Sequence, residues 1–126
     1  MRKMLISLAL PVALATLALA AISDEEYKSL MQSTGASVAA VRNAPDAAAA
    51  APAANKLADE FTKVADYWKA KNAPDAVGFA QTAADAAKDI AAGKGDKAAN
   101  LMKIQQQCGA CHSAHRAGSG GNFSFK

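Results

Sequence analysis

The stretch Asn55–Trp68 reads Asn-Lys-Leu-Ala-Asp-Glu-Phe-Thr-Lys-Val-Ala-Asp-Tyr-Trp, and its pattern predicts the fold class. Its bulky apolar side chains follow one another at steps of four, three and four residues, at Leu57, Phe61, Val64 and Trp68. Side chains at these steps share one face of an α-helix, whereas those of a half-buried strand alternate with a period of two. The stretch therefore indicates an amphipathic helix, which we expect to run to about Lys71.

Three further segments carry the same helical spacing. They cover about residues 23–42, 75–92 and 96–116, and none of them alternates with a period of two. The apolar stripe of the first segment consists of Tyr27, Met31, Thr34, Val38 and Val41. Four amphipathic helices joined by short connections predict an all-α protein with the architecture of an antiparallel four-helix bundle.

Proline and glycine mark the expected helix boundaries. The pentapeptide Asn-Ala-Pro-Asp-Ala occurs at residues 43–47 and again at 72–76, where each proline presets the backbone of a first helical turn. Gly93-Lys94-Gly95 predicts the third break. Pro52 should delay or kink the second helix, which would leave Ala47–Ala51 as a separate turn or as part of a long connection.

The composition limits the hydrophobic core of this bundle. The chain has 126 residues, enough for one domain, and 52% of them are hydrophobic, but alanine supplies most of that fraction. Alanine is the best helix former, yet it buries little surface per residue. We therefore expect another apolar group to complete the core, and we expect the bundle to fold poorly without it.

Residues 1–20 have the pattern of a secretory signal peptide. Met1-Arg2-Lys3 gives a positive start, an apolar run follows to Leu19, and Ala18-Leu19-Ala20 offers the small residues of a cleavage site. We expect cleavage after Ala20, export to the periplasm and no stable membrane insertion afterwards. The alternative is a retained anchor, although the run is shorter than the roughly 20 residues of a typical span.

Cleavage would leave a four-helix domain at residues 21–116 and a Gly/Ser-rich tail at 117–126, which we expect to be flexible. Phe123 and Phe125 are the tail residues able to pack onto the domain. Loss of Arg2 and Lys3 would reduce the 14 basic residues to 12, against 11 acidic ones, for a net charge of +1. So small a charge, with both signs interleaved, argues against a nucleic-acid partner.

The motif that points to a function is Cys108-Gly109-Ala110-Cys111-His112, in the last predicted helix. C-x-x-C-H is the attachment sequence of c-type haem, in which two thiols bind the haem covalently and the adjacent imidazole binds the iron. These are the only two cysteines of a chain that we expect to be exported. The sequence therefore predicts one covalently attached haem c with its iron, and the haem supplies the missing bulk of the core.

Three other interpretations of the motif remain. A thioredoxin-like redox pair also uses C-x-x-C, but it requires a strand before the helix. A zinc site made of Cys108, Cys111, His112 and His115 would crowd four ligands into eight residues. The third alternative is an accidental motif that binds nothing.

A C-x-x-C-H motif on the fourth helix of a bundle resembles the class II cytochromes c, which comprise cytochrome c prime and its low-spin, six-coordinate relatives. Arg116, four residues after His112, matches a basic residue that family members place near the haem propionates. Met31-Gln-Ser-Thr-Gly35 matches a Met-x-x-x-Gly pattern in the first helix. The chain departs from the family at Tyr27, where many members have arginine, and at His115, where tyrosine is frequent.

The resemblance implies iron ligation by His112 and Met31, because low-spin members carry an axial methionine at this position. The structural alternative is that Met31 only fills a gap in the core. Met102 lies on the same helix as the cysteines and cannot easily reach the opposite face of the haem. His115 could bind the iron only by leaving its helix.

The expected function is that of a single-haem electron carrier in the periplasm, not an enzyme, which docks transiently with redox partner proteins. Ligation by His and Met would favour the ferrous state. One alternative is a five-coordinate protein, similar to cytochrome c prime, that binds NO or CO. Another is a haem subunit of a larger redox complex. The resemblance also leaves a homodimer through the first two helices open.

Overall fold

The computed structural model describes residues 21–119 and 122–126, so the expected signal peptide lies outside the described residues. Within them the chain forms four α-helices followed by a short β-hairpin. The helices are α1 (Asp24–Asn43), α2 (Ala47–Ala70), α3 (Pro74–Ala91) and α4 (Lys97–His115), and the strands are β1 (Arg116–Ser119) and β2 (Asn122–Phe125). The predicted helical bundle of four helices is confirmed for the described residues. None of the described helices is long and apolar enough to cross a membrane.

Side-chain caps fix the starts of three helices. Ser23 and Glu26 form a reciprocal capping box at α1, with each side chain accepting the backbone N–H of the other residue. Asp46 accepts the N–H of Ala49 at 2.8 Å and caps α2, and Asp96 accepts the N–H of Ala99 at 3.0 Å and caps α4. Helix α3 has no side-chain cap and begins instead at Pro74, whose ring presets the backbone of a first turn.

Of the two outcomes expected for Pro52, the delayed helix start was wrong, because α2 begins at Ala47 and runs through the proline. Asp46 caps the helix, and residues 47–51 are all alanine, the strongest helix former, so the favourable first turn outweighs one lost backbone hydrogen bond. Ala50 and Ala54 are fully buried. Residues 47–51 therefore belong to the packed bundle and not to a connection.

The core lies mainly between α2, α3 and α4, which pack as successive neighbours. Small alanine side chains make most of the contact, and the largest fully buried side chains are Tyr67, Leu57, Ile90, Ile104 and Val41. Helix α1 packs chiefly on α2 and has little contact with α4. The bundle is therefore open along the seam between its first and last helices.

The C-terminal segment, which its Gly/Ser-rich composition predicts to be a flexible tail, contains two short strands. Strands β1 and β2 pair antiparallel, with Arg116 opposite Phe125 and Ser119 opposite Asn122. The ring of Phe125 lies 5.0 Å from Tyr27 and 6.1 Å from Trp68, between centroids. Phe125 thus packs onto the domain, whereas the flexibility of the tail stays a prediction.

Candidate functional site

An apolar cleft of about 330 Å³ occupies the open seam between α1 and α4. Phe61 and Val64 of α2 and Phe79 and Ala80 of α3 line its apolar wall. The volume is within the range of about 300–1,000 Å³ that is usual for small-molecule and cofactor sites. The sequence did not single out Phe79, because the residues with helical spacing in α3 are mainly alanines and Phe79 lies beside that stripe.

Helix α4 brings the whole C-x-x-C-H motif to this cleft. Cys108 and Cys111 are free thiols, each half-buried, and both line the cleft together with His112. Because the cysteines are three residues apart on a helix, they share one face. Burial raises the pKa of both thiols, that of Cys111 to about 11. They are therefore neutral thiols at neutral pH, unlike the low-pKa thiolate of a thioredoxin-type pair.

His112 is exposed over much of its surface, but part of its imidazole is covered at the cleft. This partial burial lowers the pKa of His112, and the nearby positive charge of Arg116 lowers it further. The imidazole is therefore biased towards its neutral form, the form that binds a metal ion.

Helix α1 forms the opposite wall of the cleft. Met31 is half-buried and lines the cleft together with Thr34, Gly35 and Val38. A Cβ atom added to Gly35 would meet no atom within 4 Å, so this part of the wall faces open space. The structure therefore brings Met31, Cys108, Cys111 and His112 to one cleft and leaves room beside α1.

Arg116 does not line the main cleft. It lies at a smaller adjoining cavity of about 90 Å³, which is also lined by Trp68, His115 and Phe125. Four residues of the main cleft line this cavity as well: Tyr27, Met31, Cys111 and His112. The two cavities meet at these shared residues. Another arginine, Arg42, lines the main cleft and was not predicted from the sequence.

An aromatic cluster borders the smaller cavity. The rings of Tyr27 and Tyr67 stack with centroids 3.9 Å apart, and the indole Nε1–H of Trp68 donates a 2.9 Å hydrogen bond to the Tyr27 hydroxyl. Tyr67 in turn donates to Asp24 at 2.7 Å. The sequence pattern gave only the burial of Trp68 and Tyr27, because helical spacing does not reveal which side chains hydrogen-bond.

His115 has a structural position that the sequence left open. Its Nε2 lies 2.8 Å from the Asp75 carboxylate and its Nδ1 lies 3.2 Å from the Lys126 carbonyl oxygen. The hydrogen bond from His115 is the main cause of the lowered pKa of Asp75. In the described part of the chain, no three His, Cys, Asp or Glu side chains converge on a point that could hold a metal ion. The zinc interpretation therefore has no geometric support.

Comparison of the chain with protein families, curated proteins and solved structures finds no match. The functional conclusion therefore rests on the residues and on the geometry of the cleft.

Proposed function

We propose that this protein is a c-type cytochrome of the class II type, with one haem bound covalently in the cleft between α1 and α4. The observation that carries the proposal is the convergence of both cysteines of the C-x-x-C-H motif, His112 and Met31 on one apolar cleft. A motif that occurred by accident would have no reason to face such a cleft. The porphyrin supplies four ligands to iron, so the site needs only one or two protein ligands.

The residues of the cleft fit a large, flat, apolar group. The thiols of Cys108 and Cys111 are free and on one helix face, as two thioether bonds require. The space beside Gly35 provides room against α1, where any larger residue would project its side chain into the cleft. Phe61, Val64 and Phe79 would exclude water from the bound group.

In this proposal each residue has a separate role. Cys108 and Cys111 would hold the haem, His112 and Met31 would bind its iron, and Arg116 would bind a propionate. The haem, when bound, supplies one-electron transfer between ferric and ferrous iron. The chain holds the ligands in place and keeps water away, so that the protein acts as an electron carrier in the periplasm and docks transiently with redox partners.

The direct test is covalent haem attachment. The full-length gene is expressed in a bacterium that carries a c-type haem attachment system, and the protein is examined by a haem stain on a denaturing gel. We expect a haem-positive band, at one haem per chain, that is lost in Cys108→Ser/Cys111→Ser. A wild-type band without haem, under conditions where another c-type cytochrome is matured, would overturn the proposal.

A second candidate function is binding of NO or CO by a five-coordinate iron. The open space beside Gly35, one turn from Met31 on the same helix face, favours it, because a small ligand needs room there. The ferrous optical spectrum with and without CO distinguishes the electron carrier from the gas-binding protein. A low-spin spectrum that responds slowly to CO supports the electron carrier, whereas a high-spin form that takes up CO readily supports the gas-binding protein.

A further inference from the structure

The hydroxyl proton of Tyr27 has no acceptor in the described part of the chain. Tyr27 is 3% exposed, and the one hydrogen bond of its hydroxyl among the described residues is the bond that it accepts from Trp68. A phenol has two lone pairs and one proton, so the bond to Trp68 uses a lone pair and leaves the proton unused. Buried polar groups are nearly always hydrogen-bonded, so this proton indicates an acceptor supplied by a bound group.

The Tyr27 side chain is held as a donor. Burial raises the pKa of Tyr27 to about 12, so the phenol keeps its proton at neutral pH. Stacking on Tyr67, with the ring planes 13° apart, and the bond from Trp68 restrain the ring from two sides. A restrained donor loses little conformational freedom when a ligand binds.

The surroundings of Tyr27 favour an anionic acceptor. Tyr27 lines both the main cleft and the smaller cavity, and no described Asp or Glu lines either of them. Arg42 lines the first and Arg116 the second, so each cavity has one positively charged side chain in its wall. Both ring nitrogens of His115 already face Asp75 and Lys126, and the N–H of Trp68 is already used. Among the side chains that line the smaller cavity, the Tyr27 hydroxyl therefore carries a proton that no described acceptor uses.

We propose that Tyr27 donates a hydrogen bond to a carboxylate of the group bound in the cleft, and that the smaller cavity beside Arg116 receives this carboxylate. The inference rests on the proposed function, since the carboxylates concerned are the haem propionates. The remainder of a porphyrin edge is apolar and offers no comparable acceptor. Trp68 acts as a positioning residue, because its N–H occupies one lone pair of Tyr27 and turns the phenol proton away from itself.

The test compares Tyr27→Phe with wild-type holoprotein. The variant keeps the stacked ring and removes only the hydroxyl. We expect the propionate bending mode in the resonance Raman spectrum to shift. We also expect the propionate titration, read as the inflection of midpoint potential against pH, to move upward by about one pH unit, since a hydrogen bond to a charged group is lost.

Two further variants make the comparison specific. Tyr67→Phe is the matched control, because it removes a hydroxyl from the stacked partner, which lines neither cavity, and it should leave the Raman mode and the titration unchanged. Trp68→Phe should shift both signals in the same direction as Tyr27→Phe, but less. If Tyr27→Phe fails to fold, the Raman mode and the propionate titration of Trp68→Phe test the role of Tyr27 instead.

The outcomes separate this inference from the proposed function. Wild-type protein without covalent haem would overturn both. Haem attachment with a Raman mode and a titration that are the same in wild type, Tyr27→Phe and Trp68→Phe would overturn only the role of Tyr27.

Discussion

The Ser37 hydroxyl donates a 2.7 Å hydrogen bond to the Glu60 carboxylate in the buried interface between α1 and α2. Both residues are 4% exposed. The second carboxylate oxygen, Oε2, is buried and has no hydrogen-bond partner within the described residues. Because α1 packs mainly on α2, this bond lies in the principal attachment of the helix that forms one wall of the cleft.

Ser37→Ala should destabilise the fold by about 1–3 kcal/mol, because it leaves a buried carboxylate without its hydrogen-bond donor. The measurement is the free energy of unfolding in urea at pH 7. Ser29→Ala is the matched control on the same helix, where the side chain is exposed, and it should change the free energy by less than about 0.5 kcal/mol. Equal effects of the two substitutions would show that Glu60 does not depend on Ser37.

Asp24 should make the stability of the fold sensitive to acid. The hydrogen bond from Tyr67, followed by that from Lys71, lowers the pKa of Asp24 below its usual value of 3.8. A carboxyl group whose pKa is lower in the folded state contributes stability above its unfolded pKa and loses it as the pH falls through the folded pKa. Asp24→Asn should therefore be less stable than wild type at pH 7, and the difference should disappear towards pH 2.

Glu25→Gln is the control for this prediction. It removes a charge of the same sign from the same first turn of α1, so the contribution of the helix dipole is matched. Urea unfolding at pH 7 and near pH 2 should give the larger pH-dependent loss for Asp24→Asn. A loss that is the same at both pH values would show that the bond from Tyr67 does not depend on the charge of Asp24.

Phe125 should anchor the C-terminal hairpin. Its ring lies against Tyr27 and Trp68, and the backbone N–H of Lys126 donates to the His115 carbonyl at 2.9 Å. Phe125→Ala should cost about 1–3 kcal/mol, less than the 3–5 kcal/mol of a fully buried phenylalanine, because Phe125 is half-buried.

The measurement for Phe125 is urea unfolding followed by the fluorescence of Trp68, the single tryptophan. Ser124→Ala, at the neighbouring exposed position, should be within about 0.5 kcal/mol of wild type. If Phe125→Ala were equally neutral, the hairpin would not be docked on the aromatic cluster.

The helical spacing was enough to predict the four helices and the buried stripe of α2, whereas Met31 and Val38 of the α1 stripe are only half-buried. Leu57, Phe61, Val64 and Trp68 are all buried, because a period of 3.6 residues determines one face of a helix directly. The C-x-x-C-H motif lies on α4, and its two cysteines and His112 line the main cleft. Chain order alone does not show which helices leave a seam open, so the cleft wall at Phe79 was not predicted.

The C-terminal hairpin and the polar contacts depend on tertiary structure. A Gly/Ser-rich segment indicates flexibility by composition, and that composition does not reveal the contacts of Phe125 with Tyr27 and Tyr67, which lie far away in the sequence. The polar pairs are likewise distant in the sequence: Ser37 and Glu60 are 23 residues apart, and His115 and Asp75 are 40 residues apart. No local pattern in the sequence contains such information.

Attachment of haem should stabilise the bundle. Met31, Val38 and Phe79 are only half-buried along the open seam, and each gains part of the roughly 1.5–3 kcal/mol of a fully buried side chain when a ligand covers it. Together they give a few kcal/mol, which for a domain of this size corresponds to a rise in Tm of about 10 °C or more. The difference in Tm between the holoprotein and Cys108→Ser/Cys111→Ser, measured by thermal unfolding with circular dichroism as the signal, tests this prediction. A double variant as stable as the holoprotein would contradict this reasoning.

Met31→Ala tests the sixth iron ligand. If the Met31 thioether binds the iron, its removal should convert a low-spin spectrum into a high-spin one and should speed CO binding to the ferrous form by at least about tenfold, since a displaced ligand no longer competes. Met102→Ala is the matched control, because Met102 is 59% exposed on α4 and does not line the cleft. Optical spectra and stopped-flow CO binding of the two variants show whether Met31 binds the iron. If Met31→Ala kept the spectrum and the CO rate of Met102→Ala, Met31 would only fill space in the cleft wall, and the five-coordinate interpretation would gain support.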